Sequence, residues 1–136
     1  MTEVAKTVRF DAAHALSDDS GKCRNLHGHA YRVEAVAGGE PGPDGVVVDF
    51  AELKRALEDE VTGRFDHAFL CHDGAVAERE IAATVERLGM RTVRLPFRTT
   101  AENLAAHFFR ALRPRVPALV AVRVWETADN CAEFRP

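Results

Sequence analysis

Residues 4–14 alternate: Val4, Val8, Phe10, Ala12 and His14 share one parity, and Thr7 and Arg9 take the other. A period of two predicts a strand with one buried face. Residues 27–37 alternate as well, with His27, His29, Tyr31, Val33 and Ala35 on one face. The polar stretch Ser17 to Asn25 lies between them, which predicts an antiparallel hairpin with a long connection. A turn-rich run, Gly38 to Gly45, follows, and Val46-Val47-Val48 reads as a short strand. Asp49 with Glu52 three residues later is a variant of the capping box. Phe50, Leu53, Leu57 and Val61 then recur at helical spacing, and Gly63 is expected to end that helix. The spacing predicts a second helix over 75–88, with Val76, Ile81, Val85 and Leu88 inward and Gly89 after it. Thr92 to Leu95 reads as a short strand. A third helix is expected from Thr99 or Thr100, carrying Leu104, Phe108 and Leu112 and closed by Pro114 and Pro117. Residues 118–127 predict a last strand, with Val120, Val122, Val124 and Glu126 on one face. The order β-β-(β)-α-α-(β)-α-β predicts an α+β layer, with helices on one face of a mainly antiparallel sheet.

Composition narrows the function classes. The chain has 136 residues, of which 46% are hydrophobic and 29% charged. That is one ordinary globular domain over 1–136, with enough apolar material for a single core. Lys plus Arg is 18 against 21 for Asp plus Glu, a net charge of −3. This balance speaks against nucleic-acid binding, which rests on basic surface. No apolar run approaches the ~20 residues of a membrane helix. Met1-Thr2-Glu3-Val4 carries no basic region followed by an apolar block, so no secretory signal is expected. Cys23, Cys71 and Cys131 cannot all pair within one chain, so free thiols in a reducing, cytoplasmic setting are expected.

Chemistry enters at His27-Gly28-His29. Residues two apart on a strand project from the same face, so the two imidazoles point the same way. His14 shares the inward parity of the neighbouring strand. Three neutral imidazoles from two paired strands make a divalent-metal site. Zn2+ is the expected ion, because imidazole suits it and three protein ligands leave a position open for substrate or water. Gly28 faces the other way and leaves room for close approach. Without His14, a His-x-His pair on a strand is equally well explained by two hydrogen-bonded histidines.

Six further residues, in four stretches of the chain, could carry chemistry. Cys23 lies four residues before His27, near a metal without being forced to ligate it, and Lys22 and Arg24 flank it. Basic neighbours and a metal both favour the thiolate. Asp66-His67 places an acid beside an imidazole, as in a relay that moves a proton. On those two residues alone, plain helix-end polarity is the simpler account. Glu126 ends an apolar strand face. It is either a buried carboxylate that needs partners, such as two parallel N–H donors of a heterocycle, or a strand end meeting water. Thr99-Thr100-Ala101-Glu102 reads as a capping box. Thr100 and Glu102 also stand near a helix N-terminus, where backbone N–H groups bind polar ligand atoms.

Six segments in order resemble the 6-pyruvoyltetrahydropterin synthase / 6-carboxytetrahydropterin synthase family. They are Phe10-Asp11-Ala12-Ala13-His14, Cys23-Arg24-Asn25-Leu26-His27-Gly28-His29, Val48-Asp49-Phe50-Ala51-Glu52-Leu53-Lys54, Phe65-Asp66-His67, Thr100-Ala101-Glu102-Asn103-Leu104 and Trp125-Glu126-Thr127. The resemblance implies a tunnelling fold, a four-stranded antiparallel sheet with helices on one side. It implies subunits that join their sheets into a barrel, commonly stacked as a homohexamer with active sites at subunit interfaces. By position, His14, His27 and His29 would bind Zn2+. Cys23, Asp66 and His67 would form the proton-transfer set. Glu126 would anchor the pterin ring, helped by Thr100 and Glu102. The implied substrate is 7,8-dihydroneopterin triphosphate.

The short Cys-to-His spacing looks more like the bacterial carboxypterin branch, which feeds queuosine-type 7-deazaguanine synthesis and releases acetaldehyde and triphosphate. The other readings are a 6-pyruvoyltetrahydropterin synthase or related pterin lyase, and a non-catalytic pterin- or purine-binding oligomer. Two departures stand out: residues 71–98 are longer than in compact members, and Arg98 precedes Thr99-Thr100 where the family often has Asn-Pro.

Overall fold

The computed structural model describes residues 1–136. The first strand, β1, spans Thr2–His14 and the second, β2, His27–Gly39. They pair antiparallel, with Phe10 opposite Tyr31, Ala12 opposite His29 and His14 opposite His27. The inward parity set holds: Phe10, Ala12, His14, Tyr31, Val33 and Ala35 are all buried. The last long strand, β5 (Leu119–Thr127), pairs antiparallel with β2, and a strand absent from the sequence reading, β6 (Asn130–Phe134), pairs antiparallel with β5. These four make the antiparallel part of the sheet. Two short strands, β3 (Ala68–His72) and β4 (Thr92–Leu95), add to the other side of β1 in parallel. The order is β4-β3-β1-β2-β5-β6 in one six-stranded sheet. β3 was not legible because Ala68-Phe69-Leu70-Cys71 is an unbroken buried run, with no alternation to read.

Val46-Val47-Val48 forms no strand; it is a bend between Gly45 and the first helix. The segment has no sheet edge to pair with, and three β-branched residues do not make a strand without one. Helix α1 covers Phe50–Leu57, and Asp49 caps it by accepting from the Ala51 N–H at 2.8 Å. Gly63 does not end this helix. The chain passes through a π-turn, Glu58–Thr62, and continues as helix over Gly63–Phe65. The wide turn keeps Val61 and Phe65 buried together with Leu53 and Leu57.

Helix α2 spans Val76–Arg87, but the expected inward face is only partly right. Val76 and Leu88 are exposed, Ile81 and Val85 half-buried, and the buried positions are Glu78 and Ala82. α2 lies on a small cluster with Phe69 and Cys71, which rewards a small Ala82 more than a wide apolar stripe. Gly89 takes φ 76°, and the Met90 N–H reaches Val85 O across it, a left-handed helix stop. Helix α3 runs Ala101–Leu112, with Leu104, Phe108 and Leu112 fully buried as the spacing predicted. α1 and α3 cover the inward face of the sheet, and the main core of 24 residues lies between them and the strands. Its centre is aromatic: Phe10 stacks on Tyr31 at 4.9 Å, and Phe65 meets Phe108 edge-on at 4.8 Å. Each such ring contributes about 1.5–3 kcal/mol by burial.

The π-turn generates a prediction of sign. A Cβ on Gly63 would sit 2.6 Å from the Glu58 carbonyl oxygen. Helix propensity alone expects Gly63→Ala to stabilise by about 1 kcal/mol. The close approach reverses this, and Gly63→Ala should cost about 1–3 kcal/mol. A urea unfolding midpoint that rises in the variant would contradict the π-turn packing.

Candidate metal centre

The hairpin register sets three imidazoles on one face. His14 and His27 end their strands opposite one another, and His29 lies two residues further along opposite the small Ala12. The ring centroids are 4.6 Å (His14–His27), 5.1 Å (His14–His29) and 5.0 Å (His27–His29) apart. One ligand nitrogen from each lies within 4.8 Å of the others. Burial, with the neighbouring His27 second, holds His14 down to about 4, and burial and His27 also lower His29. Both therefore stay neutral near pH 7, with a lone pair to offer.

The hydrogen bonds decide which nitrogen offers it. His14 Nδ1 lies 3.0 Å from the Thr99 carbonyl oxygen, and His27 Nδ1 lies 2.6 Å from the Asn25 carbonyl oxygen. A carbonyl only accepts, so in each ring Nδ1 carries the proton and Nε2 the lone pair. His14 Nε2 is buried and has no partner in the protein. An orphaned buried acceptor is costly, and an ion held by the three rings satisfies it. The donor set thus fits a divalent metal, with carbonyls behind two ligands fixing ring orientation.

Carboxylates stand beside this centre. Glu126, at the end of β5, has a carboxylate oxygen 3.9 Å from His29 Nε2 and a side chain only 24% exposed. Burial first, and then the charge of Glu102, push its carboxyl above the usual range, while His27 opposes them. The strand-end-in-water account of Glu126 is therefore not the one observed. The cap of α3 also differs from the reading. Thr100 is the N-cap, accepting from the Asn103 N–H at 3.2 Å, and Asn103 rather than Glu102 occupies the third helical position. Glu102 is left free of capping, exposed, and close enough to act on Glu126.

Asp66 and His67 sit elsewhere. The Asp11 N–H donates to Asp66 Oδ1 at 3.0 Å, and the His67 N–H donates to the Asp11 carbonyl at 2.7 Å. His67 Nδ1 is 2.9 Å from Asp66 Oδ1. The Asp11 N–H bond is the main reason the Asp66 carboxyl lies below the usual range, with His67 adding to it. His67 takes φ 58°, a left-handed conformation uncommon outside glycine. The pair is real, but it groups with Asp11, whose parity on β1 is opposite to that of His14. His67 also lines an open groove of about 570 Å³ with Ala13, Ala30, Phe69, Val85 and Met90, and His29 of the triad contributes to the same lining. Cys23 is half-buried in a one-turn 3-10 segment, Lys22–Arg24. Within one chain, no hydrogen bond or ion pair joins its side chain to Asp66 or His67.

Three contributors escaped the pattern reading. Thr99 and Asn25 act through main-chain carbonyls, which no side-chain motif announces. Tyr31 reads as core by parity, and it is fully buried, yet its hydroxyl has no partner and its ring stands 5.4 Å from His29. Burial, then the Glu126 charge, push the phenol well above its ordinary value.

A family model described as 6-pyruvoyl tetrahydropterin synthase matches residues 3–136. The 6-carboxy-5,6,7,8-tetrahydropterin synthase of Haemophilus influenzae is 34% identical over 140 residues, covering 99% of this chain and 99% of that protein. The protein of the same name from Aquifex aeolicus is 30% identical, covering 98% and 97%. Among solved structures, 6-pyruvoyl tetrahydropterin synthase from Caenorhabditis elegans superposes with a TM-score of 0.74 at 24% identity, covering 99% of this chain and 95% of that one. The Plasmodium falciparum protein reaches 0.77 at 18% identity, covering 99% and 97%. These likenesses establish a shared fold, and the sequence matches go further. The chain belongs to the 6-pyruvoyl tetrahydropterin synthase / 6-carboxytetrahydropterin synthase family.

Proposed function

We propose that the chain is a zinc-dependent 6-carboxy-5,6,7,8-tetrahydropterin synthase, a lyase converting 7,8-dihydroneopterin triphosphate and one water to 6-carboxytetrahydropterin with release of acetaldehyde and triphosphate. The observation that carries this is the imidazole triad, with two Nδ1 atoms tied to carbonyls and His14 Nε2 left without a partner, beside a half-buried Glu126. The carboxypterin product is favoured by the Haemophilus influenzae relative of that name. His14, His27 and His29 would hold Zn2+, which would supply Lewis acidity toward side-chain oxygens of the substrate. Glu126 receives two parallel N–H donors of the pterin ring, and Glu102 and the Thr100 end of α3 complete that pocket. Cys23 moves the proton that elimination of triphosphate requires.

Asp66 and His67 complete the proton path from a neighbouring copy of the chain, in a barrel-forming homohexamer. Their place on the far side of β1, and the apolar groove beside His67, support a site shared between subunits. No helix is long and apolar enough to cross a membrane. The decisive test is mass spectrometry of the product made from 7,8-dihydroneopterin triphosphate. 6-Carboxytetrahydropterin with acetaldehyde is expected; 6-pyruvoyltetrahydropterin without acetaldehyde would move the chain to the pyruvoyl branch.

Three substitutions probe the roles. Wild type should carry one Zn2+ per chain and His29→Ala should lose it, by metal analysis of the purified protein; full occupancy in the variant would refute the ligand set. Glu126→Gln should weaken pterin binding ten- to a hundredfold, because an amide cannot accept both ring donors and charge-assisted bonds are worth about 1.5–3 kcal/mol. Calorimetric titration with a pterin measures this, and unchanged affinity would put Glu126 outside the pocket. Cys23→Ala should reduce turnover by about a hundredfold or more while retaining zinc and pterin. Zinc lost with the thiol would make Cys23 a ligand, and wild-type turnover would remove it from the mechanism.

A further inference from the structure

Glu78 is the only acidic residue among the buried side chains, at 2% exposure. No basic group pairs with it. A carboxylate in that position is expensive unless both oxygens find donors. They do: Oε1 accepts from the His72 N–H at 3.0 Å, and Oε2 accepts from Ser17 Oγ at 2.7 Å. The first bond is local to the start of α2. The second reaches across 61 residues of sequence, to the loop that follows β1. That loop carries Cys23, and its base is closed where the Leu16 N–H donates to the Cys23 carbonyl at 2.9 Å. Ser17 is the next residue along.

A second tie arrives one residue further on. Arg98 Nε donates to Asp18 Oδ1 at 3.0 Å. The Arg98 carbonyl is itself held by Asn103 Nδ2 at 3.0 Å, and its neighbour Thr99 contacts the His14 ring. The tip of the loop has little else to fix it, since Ser20, Gly21, Lys22 and Arg24 are all exposed. Both ties come from residues 71–98.

We propose that Glu78 and Arg98 are positioning residues for Cys23, holding its loop in register with the imidazole triad through Ser17 and Asp18. The inference rests on the proton-transfer role given to Cys23 under the proposed function. Glu78 acts at one remove: its buried carboxylate bridges the α2 start and Ser17, so the loop is docked on the sheet's parallel extension. Arg98 links the same loop to the turn that orients His14. The Cys23 loop and His14 are thereby tied to one stretch of chain, Glu78 to Thr99.

The test uses full-length protein with Ser17→Ala and Arg98→Ala combined. These changes cut both ties at the loop and leave the Glu78–His72 bond in place. Turnover number should fall about ten- to a hundredfold, as for a reacting group misplaced by ~1 Å, with KM, zinc content and thermal midpoint close to wild type. A turnover number within twofold of wild type would overturn the proposal, and so would equal loss in zinc content. Glu78→Gln should restore most of what Glu78→Ala loses, because the amide can accept from His72 N–H and donate to Ser17 Oγ. Rescue absent in a folded Glu78→Gln protein would also count against it. If the wild type makes no pterin product, the function reading fails and positioning is decided by thiol chemistry. In a Cys131→Ser background, iodoacetamide labelling of Cys23, read by peptide mass spectrometry, should change several-fold in the double variant. An unchanged rate would overturn the proposal independently of the reaction.

Discussion

A slip of one residue between β1 and β2 would turn His27 and His29 to the opposite face of the sheet and leave His14 alone. The pairing of His14 with His27 and of Ala12 with His29 is therefore the constraint on which the candidate centre depends. The register is held by the rest of the hairpin. Phe10 and Tyr31 face each other and stack, and Val8 opposes Val33, all turned toward α1 and α3. Shifting the pair would expose this apolar row to water at several kcal/mol, far more than the imidazoles could gain elsewhere. The core thus fixes the chemistry by fixing the parity.

Polar burial is concentrated at one end of that core. His14, Thr99 and Glu78 are the buried polar residues, and each is linked to the segment between β3 and α3 or lies within it. His14 tolerates burial because it is neutral and donates to a carbonyl. Glu78 tolerates it because two donors meet its two oxygens. Glu126 is intermediate: half-buried beside His29, with Glu102 repelling it and no protein donor to satisfy it. Such a carboxylate is suited to an incoming ligand with paired N–H donors, since binding removes the imbalance that burial creates.

The two faces of β1 carry different chemistry. One presents the triad toward α3, and the other carries the Asp11 main-chain bonds that hold Asp66 and His67 beside an apolar groove. Asp11, which groups with Asp66 and His67, has the parity opposite to that of His14, and side chains of opposite parity on a strand point to opposite sides. Leu26 and Met90 along the groove are exposed apolar surface.

Long periodic elements were legible from residues alone. β1, β2, β5 and α3 appear where alternation or helical spacing placed them, because each buries one continuous face and the period records that face. The same parity puts His14, His27, His29 and Glu126 on inward positions. What the pattern could not carry was decided by contacts between distant segments. β3 is buried on both faces and has no alternation, β6 exists only because β5 offers an edge, and Val46 to Val48 has no edge to join. The helix runs past Gly63 because Val61 and Phe65 must both reach the core. Orientation of the imidazoles depends on the carbonyls of Thr99 and Asn25, which every residue possesses and no motif marks. The amino-acid order determined which side chains face inward along each element, since that is local geometry. Tertiary packing decided which elements meet, and with that the tautomers of His14 and His27, the partners of Glu78 and the grouping of His67 with Asp11, because those are set by groups brought together from distant parts of the chain.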